Sequence, residues 1–170
     1  DGLGSRPTNS SRGIWFDGTA IAISDVTVKK WRLNSTVWSA WNFYLNATNS
    51  IVTNLTMGTD GDASQGNDGA NVYVPGTGNT LDNVNVYNAG GYGISVGGAT
   101  VTVKNSFVKN SGSAGYFFTA AVTVNLDDNR SIDNTDQGYM FQGSHGDVDN
   151  CTYENTTGTA TGFSFSSGAI

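Results

Sequence analysis

The sequence predicts an all-β fold, a right-handed parallel β-helix of about seven rungs that spans residues 1–170 as a single domain. The first reason is periodicity, since short strand-like segments recur about every 20 to 30 residues along the chain. The second is composition, because β-branched residues, Gly and Asn are frequent whereas Leu, Glu and Lys, which favour helices, are scarce. A repeat of this length, built from short strands, matches one rung of a β-helix.

The first family of strands predicts the core. It recurs with this period from one end of the chain to the other, and its apolar side chains alternate with others at period two. Alternation turns every second side chain inward, so we expect two inward columns. One column comprises Phe16, Leu45, Val74, Val96, Phe118, Phe141 and Phe165. The other comprises Ile14, Phe43, Val72, Ile94, Tyr116, Tyr139 and Phe163.

The second family of strands begins at a polar position that returns with nearly the same period as the first family. This position predicts an inward ladder of side chains that hydrogen-bond to one another at a turn. The ladder comprises Asp25, Asn54, Asn83, Asn105, Asn129 and Asn150. This register leaves Arg130 in an inward apolar column, so either the register slips at Asp127-Asp128 or the arginine pairs with those acids.

Seven Asn-x-Ser/Thr sequons occur in the chain. Those at Asn54, Asn129 and Asn150 belong to the predicted ladder and are therefore expected to be structural. The other four are the predicted glycosylation sites: Asn9, Asn34, Asn46 and Asn155. Glycosylation would place the protein outside the cell or at the cell surface, which is the localisation we expect.

Charge and hydropathy exclude two kinds of partner. The chain has 8 Lys+Arg against 14 Asp+Glu, a formal charge of −6, so a nucleic-acid backbone is not an expected ligand. No apolar run approaches the roughly 18–20 residues that cross a bilayer, so membrane insertion is not expected. The single cysteine, Cys151, is interpreted as a small core residue, and the single histidine, His145, as a turn residue.

Three aromatic residues are the predicted substrate-binding surface. Trp15, Tyr44 and Tyr73 are evenly spaced in the sequence and fall on the outward position of three successive rungs. Stacked exposed aromatics provide a platform for sugar rings or for another protein surface. Packing beneath the Trp-rich segment of residues 31–41 is the alternative for these side chains.

The loop of residues 58–69 contains a calcium-loop pattern. Oxygen-bearing residues occupy its first, third, fifth and ninth positions: Asp60, Asp62, Ser64 and Asp68. Gln65 stands where the pattern needs Gly, and Asn71 stands where it needs a bidentate Glu. A solvated acidic loop is the alternative, and no cofactor other than calcium is expected.

The first two thirds of the chain resemble the pectinases of glycoside hydrolase family 28. The resemblance covers residues 1–110 and rests on Asp1-Gly2-Leu3-Gly4, Arg6-Pro7, the following Ile-x-Phe, Val-x-Val and Trp-Asn-Phe strands, and Gly66-Asn67-Asp68-Gly69. It implies an inverting site with Asp68 as a catalytic carboxylate, acting on an acidic polysaccharide. The family's Asp-Asp pair is replaced by Ala89-Gly90-Gly91, its Gly-His-Gly motif by Ser113-Ala114-Gly115, and no Arg-x-Lys follows.

The two ends of the repeat predict assembly. Neither end carries a recognisable cap, so either the chain is a piece of a longer one or the last rung stacks on the first rung of another copy. The predicted assembly residues are Ile14, Phe16, Phe163 and Phe165. We therefore expect a non-catalytic structural solenoid that forms filaments head to tail. The alternatives are a polysaccharide-degrading enzyme, pectinase-like or of phage tailspike type, and a non-catalytic carbohydrate-binding module.

Overall fold

The computed structural model describes residues 12–30, 41–63, 69–119, 122–156 and 161–166, without the side chains of Arg12 and His145. These residues contain 17 β-strands in two sheets. Every strand pairing is parallel, and successive partners in a sheet come from successive rungs. The predicted parallel β-helix is therefore confirmed.

Sheet A has one strand from each of seven rungs. Its strands are β1 (Arg12–Thr19), β4 (Trp41–Thr48), β6 (Ala70–Val74), β8 (Ile94–Val96), β11 (Tyr116–Phe118), β14 (Gln137–Gln142) and β17 (Thr161–Ser166). They lie side by side in that order. Seven rungs are the number that the sequence predicts.

Sheet B bends in the middle and forms the other two sides of the solenoid. Its strands are β2 (Ala22–Ser24), β3 (Thr27–Val28), β5 (Ile51–Met57), β7 (Asn79–Tyr87), β9 (Thr100–Lys104), β10 (Phe107–Lys109), β12 (Thr123–Asp127), β13 (Arg130–Ile132), β15 (His145–Asp149) and β16 (Thr152–Glu154). Strands β5 and β7 run through the bend, whereas in the other rungs two short strands share it. In the described chain each of the first six rungs thus has three faces.

Both predicted core columns of sheet A are confirmed. Ile14 pairs with Phe43, Phe43 with Val72, and Val72 with Ile94. The column continues through Tyr116, Tyr139 and Phe163. The centroids of neighbouring rings are 4.7 Å apart in both stacked pairs, and the interplanar angles are 7° and 6°. The neighbouring column ends in a second stack, with rings 5.1 and 5.0 Å apart, formed by Phe118, Phe141 and Phe165. Burial of these columns stabilises the solenoid.

The predicted ladder was wrong by one residue in the fifth rung. Strand pairing aligns Phe107 with Arg130, so the residue opposite Asn105 is Asp128 and the residue opposite Ser106 is Asn129. Asp128 has the positive φ of the ladder, 52°, whereas Asn129 is fully buried. The register slip is therefore the correct explanation of Arg130, whose side chain is exposed and lies 5.6 Å from the centroid of the Phe107 ring.

The orientation predicted for the ladder was also wrong, because its side chains are exposed. All members adopt the left-handed backbone conformation, which Asn and Asp tolerate better than other non-Gly residues. Their side chains bond along the outside of the bend: Asn54 Nδ2 donates to Asp25 Oδ1 and Asn83 Nδ2 to Asn54 Oδ1, each at 2.9 Å. The outward ladder turns the backbone while each inward neighbour stays in the core. Its members are Asp25, Asn54, Asn83, Asn105, Asp128 and Asn150.

A second row of left-handed residues closes the next corner and was not predicted. Asn88, Asn110 and Asp133 have φ values of 54°, 57° and 50°. Their spacing follows the period of the strands, so the repeat itself is the signal that could have found them. Asn110 Nδ2 donates to Asn88 Oδ1 at 3.3 Å, which repeats the pattern of the first ladder.

Candidate functional site

The three predicted platform residues lie together on the outer face of sheet A. Strand pairing aligns Trp15 with Tyr44 and Tyr44 with Tyr73. The ring centroids are 5.6 and 5.4 Å apart, and the interplanar angles of 68° and 65° are those of edge-to-face contacts. Trp15 is 52% exposed, and the other two rings are half-buried. Edge-to-face contact holds the rings in place while leaving aromatic surface to the solvent.

Two further stacked pairs extend this surface. Trp41 stacks on Tyr73 with centroids 4.1 Å apart and an angle of 18°, and Tyr92 stacks on Phe117 at 4.5 Å and 16°. The two pairs are equivalent, because in each a residue two positions before an inward core residue packs on the outward aromatic of the next rung. We call the combined surface the aromatic strip. It comprises Trp15, Trp41, Tyr44, Tyr73, Tyr92 and Phe117.

In the fourth rung, small residues lie between the rings of Tyr73 and Phe117. Ser95 is the outward residue between Tyr73 and Phe117, and it is only 1% exposed. A Cβ atom at Gly97 would lie 2.9 Å from the Tyr73 hydroxyl oxygen, so glycine leaves room for that ring to lie over the rung. Burial raises the pKa of Tyr73, with a smaller effect from Tyr44, and the phenol stays neutral at physiological pH.

The strands that carry the aromatic strip have few charges. Within the described strands of sheet A, Asp17 is the one acidic residue and Arg12 the one basic residue, and both belong to β1. Asn46 Nδ2 donates to Asp17 Oδ1 at 2.6 Å, which places a polar edge beside Trp15 and Tyr44. From the second rung onward the described strands of sheet A are uncharged.

A polar groove of about 500 Å³ lies on a different side, at the second corner. Its walls are formed by Ala63, Asn88, Ala89, Asn110, Ser111, Gly112, Asp133 and Thr135. Asp133 Oδ1 accepts hydrogen bonds from the backbone nitrogen and hydroxyl of Thr156 at 2.6 and 2.7 Å, which lowers the pKa of that carboxyl. A general acid needs a raised pKa, so Asp133 does not fit that role.

The loop that carries the calcium and catalytic predictions borders this groove. Asp60 Oδ1 accepts a hydrogen bond from Lys109 Nζ at 2.9 Å, and this bond raises the pKa of the lysine. Asp62 lies in the described part of the loop, whereas Ser64 and the catalytic candidate Asp68 lie outside the described residues. No group of three His, Cys, Asp or Glu side chains able to hold a metal occurs in the part of the chain that the structure describes. The calcium site stays a prediction.

The remaining predicted residues lie on several parts of the surface. Of the glycosylation candidates, Asn46 is exposed, Asn155 is half-buried with its Nδ2 atom enclosed, and Asn9 and Asn34 lie outside the described residues. Of the assembly candidates, Ile14 and Phe16 are half-buried in β1. Phe163 and Phe165 are 37% and 61% exposed in β17.

The single cysteine and the single histidine both belong to the sixth rung. Cys151 is half-buried against the core, and it lies in the inward column that contains Ser106 and Asn129. Burial raises the pKa of its thiol. His145 begins β15, so it belongs to a strand and its interpretation as a turn residue was wrong.

Comparison with known proteins bears on the family. The model described as a right-handed beta helix region matches residues 12–170. The chain belongs to the right-handed β-helix family. Neither curated proteins nor solved structures gave a match for this β-helix. The finer resemblance to family 28 pectinases is not confirmed. Among the described residues of the β-helix, no helix has the length and hydrophobicity needed to span a membrane.

Proposed function

We propose that this β-helix is an extracellular, non-catalytic protein that binds polysaccharide through the aromatic strip. The observation that carries the proposal is the continuity of the strip, with outward aromatic rings on rungs one, two, three and five of one face. Exposed aromatic rings that are held by their neighbours bind the apolar faces of sugar rings without first becoming ordered. The polar edge at Asp17 and Asn46 offers hydrogen-bond partners for sugar hydroxyls.

The absence of catalysis is part of the proposal. Inverting hydrolysis requires two carboxyl groups, roughly 6.5–9.5 Å apart, on either side of a sugar bond. Asp17 is the one carboxylate on the described strands beneath the aromatic strip, and it is already paired with Asn46. A polysaccharide-degrading enzyme that uses Asp68 is the alternative. Release of reducing ends that Asp68→Asn abolishes would establish this alternative.

Binding can be tested by affinity electrophoresis in gels that contain soluble polysaccharides of different backbones. We expect wild-type protein to be retarded by at least one of them, and Trp15→Ala to weaken that retardation about tenfold, equivalent to about 1.4 kcal/mol. Tyr87→Ala is the matched control, because Tyr87 is a half-buried aromatic on a face of sheet B. Equal binding by wild type and Trp15→Ala, or no retardation in any gel, would contradict the proposal.

End-to-end stacking is a second candidate function. In the described chain β17 pairs with β14 alone, and its exposed rings end two aromatic stacks. One more rung, from this chain or from another copy, would cover Phe163 and Phe165. Sedimentation velocity at increasing concentration separates these cases. We expect association that Phe165→Asp abolishes; a monomer at all concentrations would contradict stacking.

A further inference from the structure

The aromatic strip contains the same arrangement of rings twice. Trp41 and Tyr92 occupy equivalent positions, each two residues before an inward residue of one core column, Phe43 or Ile94. Each stacks on the outward ring of the following rung, Tyr73 in the first pair and Phe117 in the second, with nearly equal distances and angles. Because the solenoid repeats, the second pair is related to the first by a shift of two rungs along the axis.

We infer that these two pairs are equivalent subsites for a neutral, extended polysaccharide whose chain runs parallel to the solenoid axis. The inference rests on the proposed function and specifies its ligand class. Parallel strands are about 4.8 Å apart, so two rungs separate the pairs by roughly 10 Å. A rung adds nearly the same length as one unit of an extended β-1,4-linked sugar chain. A chain along the axis therefore presents chemically identical units to both subsites.

The charge of the surface selects a neutral ligand. Both pairs lie on strands β4, β6 and β11 or next to β8, and none of these four strands contains a charged residue. The described side chains of basic residues belong to other parts of the solenoid, in sheet B or directly after β3: Lys29, Lys30, Lys104, Lys109 and Arg130. Sheet A has one basic residue in its described strands, Arg12 of β1, which pairs with Trp41. A uronate chain would therefore find few counter-charges along this face and would meet a protein of net charge −6.

Two linked subsites make affinity depend on the length of the ligand. A short oligosaccharide occupies one pair at a time, so loss of one pair removes half of the binding positions and weakens affinity about twofold. A long oligosaccharide spans both pairs, and its second contact is intramolecular. Loss of either pair should then weaken binding of the long chain by roughly tenfold or more.

The experiment measures binding of xylo- and cello-oligosaccharides from dimer to octamer by calorimetry, with oligogalacturonates as the charged series. The variants are Trp41→Ala for the first pair and Phe117→Ala for the second, with Tyr87→Ala as the control. Phe117→Leu keeps apolar packing and removes the ring, and it replaces the alanine variant if that protein does not fold. We expect each pair variant to lose about twofold on dimers and roughly tenfold or more on octamers.

Three results would overturn the inference while leaving the proposed function intact. They are loss of binding in the variants of only one pair, affinity that does not grow with length, and tighter binding of oligogalacturonates than of neutral chains. Failure of the wild-type protein to bind any oligosaccharide or polysaccharide would instead contradict the proposed function itself. If binding appears only after Trp31 and Trp38 are both changed to Ala, the chain itself covers the aromatic strip and the inference fails.

Discussion

Tyr139 shows how a single residue joins two walls of the interior. Its ring is fully buried between those of Tyr116 and Phe163. Its hydroxyl lies 2.9 Å from the carbonyl oxygen of Asn129, in the turn between β12 and β13, and 3.2 Å from that of Thr152 in β16 of sheet B. A buried phenol keeps its proton because the charged form would lose its hydration, and accordingly the pKa of Tyr139 is raised well above the usual value for tyrosine.

This environment predicts an alkaline limit of stability. The phenol ionises near pH 10 in the unfolded chain and at higher pH in the folded one. Its contribution to the free energy of unfolding is therefore complete below about pH 10 and is lost as the pH rises above that value. Tyr139→Phe should lower the free energy of unfolding at neutral pH by about 1–2 kcal/mol through the lost hydrogen bond, and should make stability fall less steeply above pH 10. Urea unfolding at neutral pH and above pH 10 measures both effects. Tyr92→Phe, on the outer surface, should leave the free energy of unfolding at neutral pH unchanged. Equal slopes above pH 10 in wild type and Tyr139→Phe would contradict the prediction.

The turn ladders determine where each rung bends. Asn83 illustrates the mechanism: its φ is 56°, its Nδ2 donates to Asn54 and its Oδ1 accepts from Asn85 at 3.0 Å. The left-handed conformation and the side-chain hydrogen bonds contribute separately to stability, because a glycine at this position would keep the conformation and lose the hydrogen bonds. Successive rungs therefore bend at the same place, because a residue that tolerates the left-handed conformation recurs at that position.

Substitutions at Asn83 should separate these contributions. Asn83→Gly removes exposed side-chain bonds only, and we expect a loss of less than about 1 kcal/mol. Asn83→Ala also forces a residue with a Cβ atom into the left-handed region, so the loss should be larger by about 1 kcal/mol. Denaturant midpoints of the two variants test the order. A glycine variant as unstable as the alanine variant would show that backbone conformation is not the main contribution.

Strand periodicity was enough to predict the core columns, but not every turn or outward side chain. The ladder failed at Asp128 because Asp and Asn both tolerate the left-handed conformation, and here the two stand next to each other. Asn129 is inward instead: its Nδ2 donates to Val103 O at 2.7 Å and its Oδ1 accepts from Ser106 N at 3.0 Å. An alternation of apolar and polar residues cannot identify a buried amide of this kind.

The same limit explains why Trp41 and Tyr92 were not predicted as members of the aromatic strip. Alternation fails at the start of the sheet A strands, where Asn42 and Asn71 are buried directly beside buried Phe43 and Val72. The two amides bond to each other at 2.7 Å. Trp41 therefore does not follow the parity of its strand, and its contact with Tyr73 depends on a partner from the next rung. The aromatic strip depends on contacts between neighbouring rungs, which the pattern within one strand does not contain.

At the scale of the whole molecule, stability accumulates through contacts between neighbouring rungs. Both end rungs are less buried than the middle ones: Ile14 and Phe16 are half-buried in the first rung, and Phe163 and Phe165 are exposed in the last. The core aromatics of the fifth and sixth rungs are almost fully buried. A solenoid with unequal rungs need not unfold as a single unit, because a weak end can open while the remaining rungs keep their neighbours.

The chain carries its own pair of optical and chemical reporters for this behaviour. All four tryptophans lie at or before Trp41, and the one thiol, Cys151, lies against the core in the sixth rung. Tryptophan emission thus reports on one end of the solenoid, and labelling of the thiol reports on the other, without any engineered probe. Because the last rung is the more exposed of the two ends, we expect thiol labelling to rise at lower urea concentration than the change in emission. Coincident transitions would instead mean that all rungs open together.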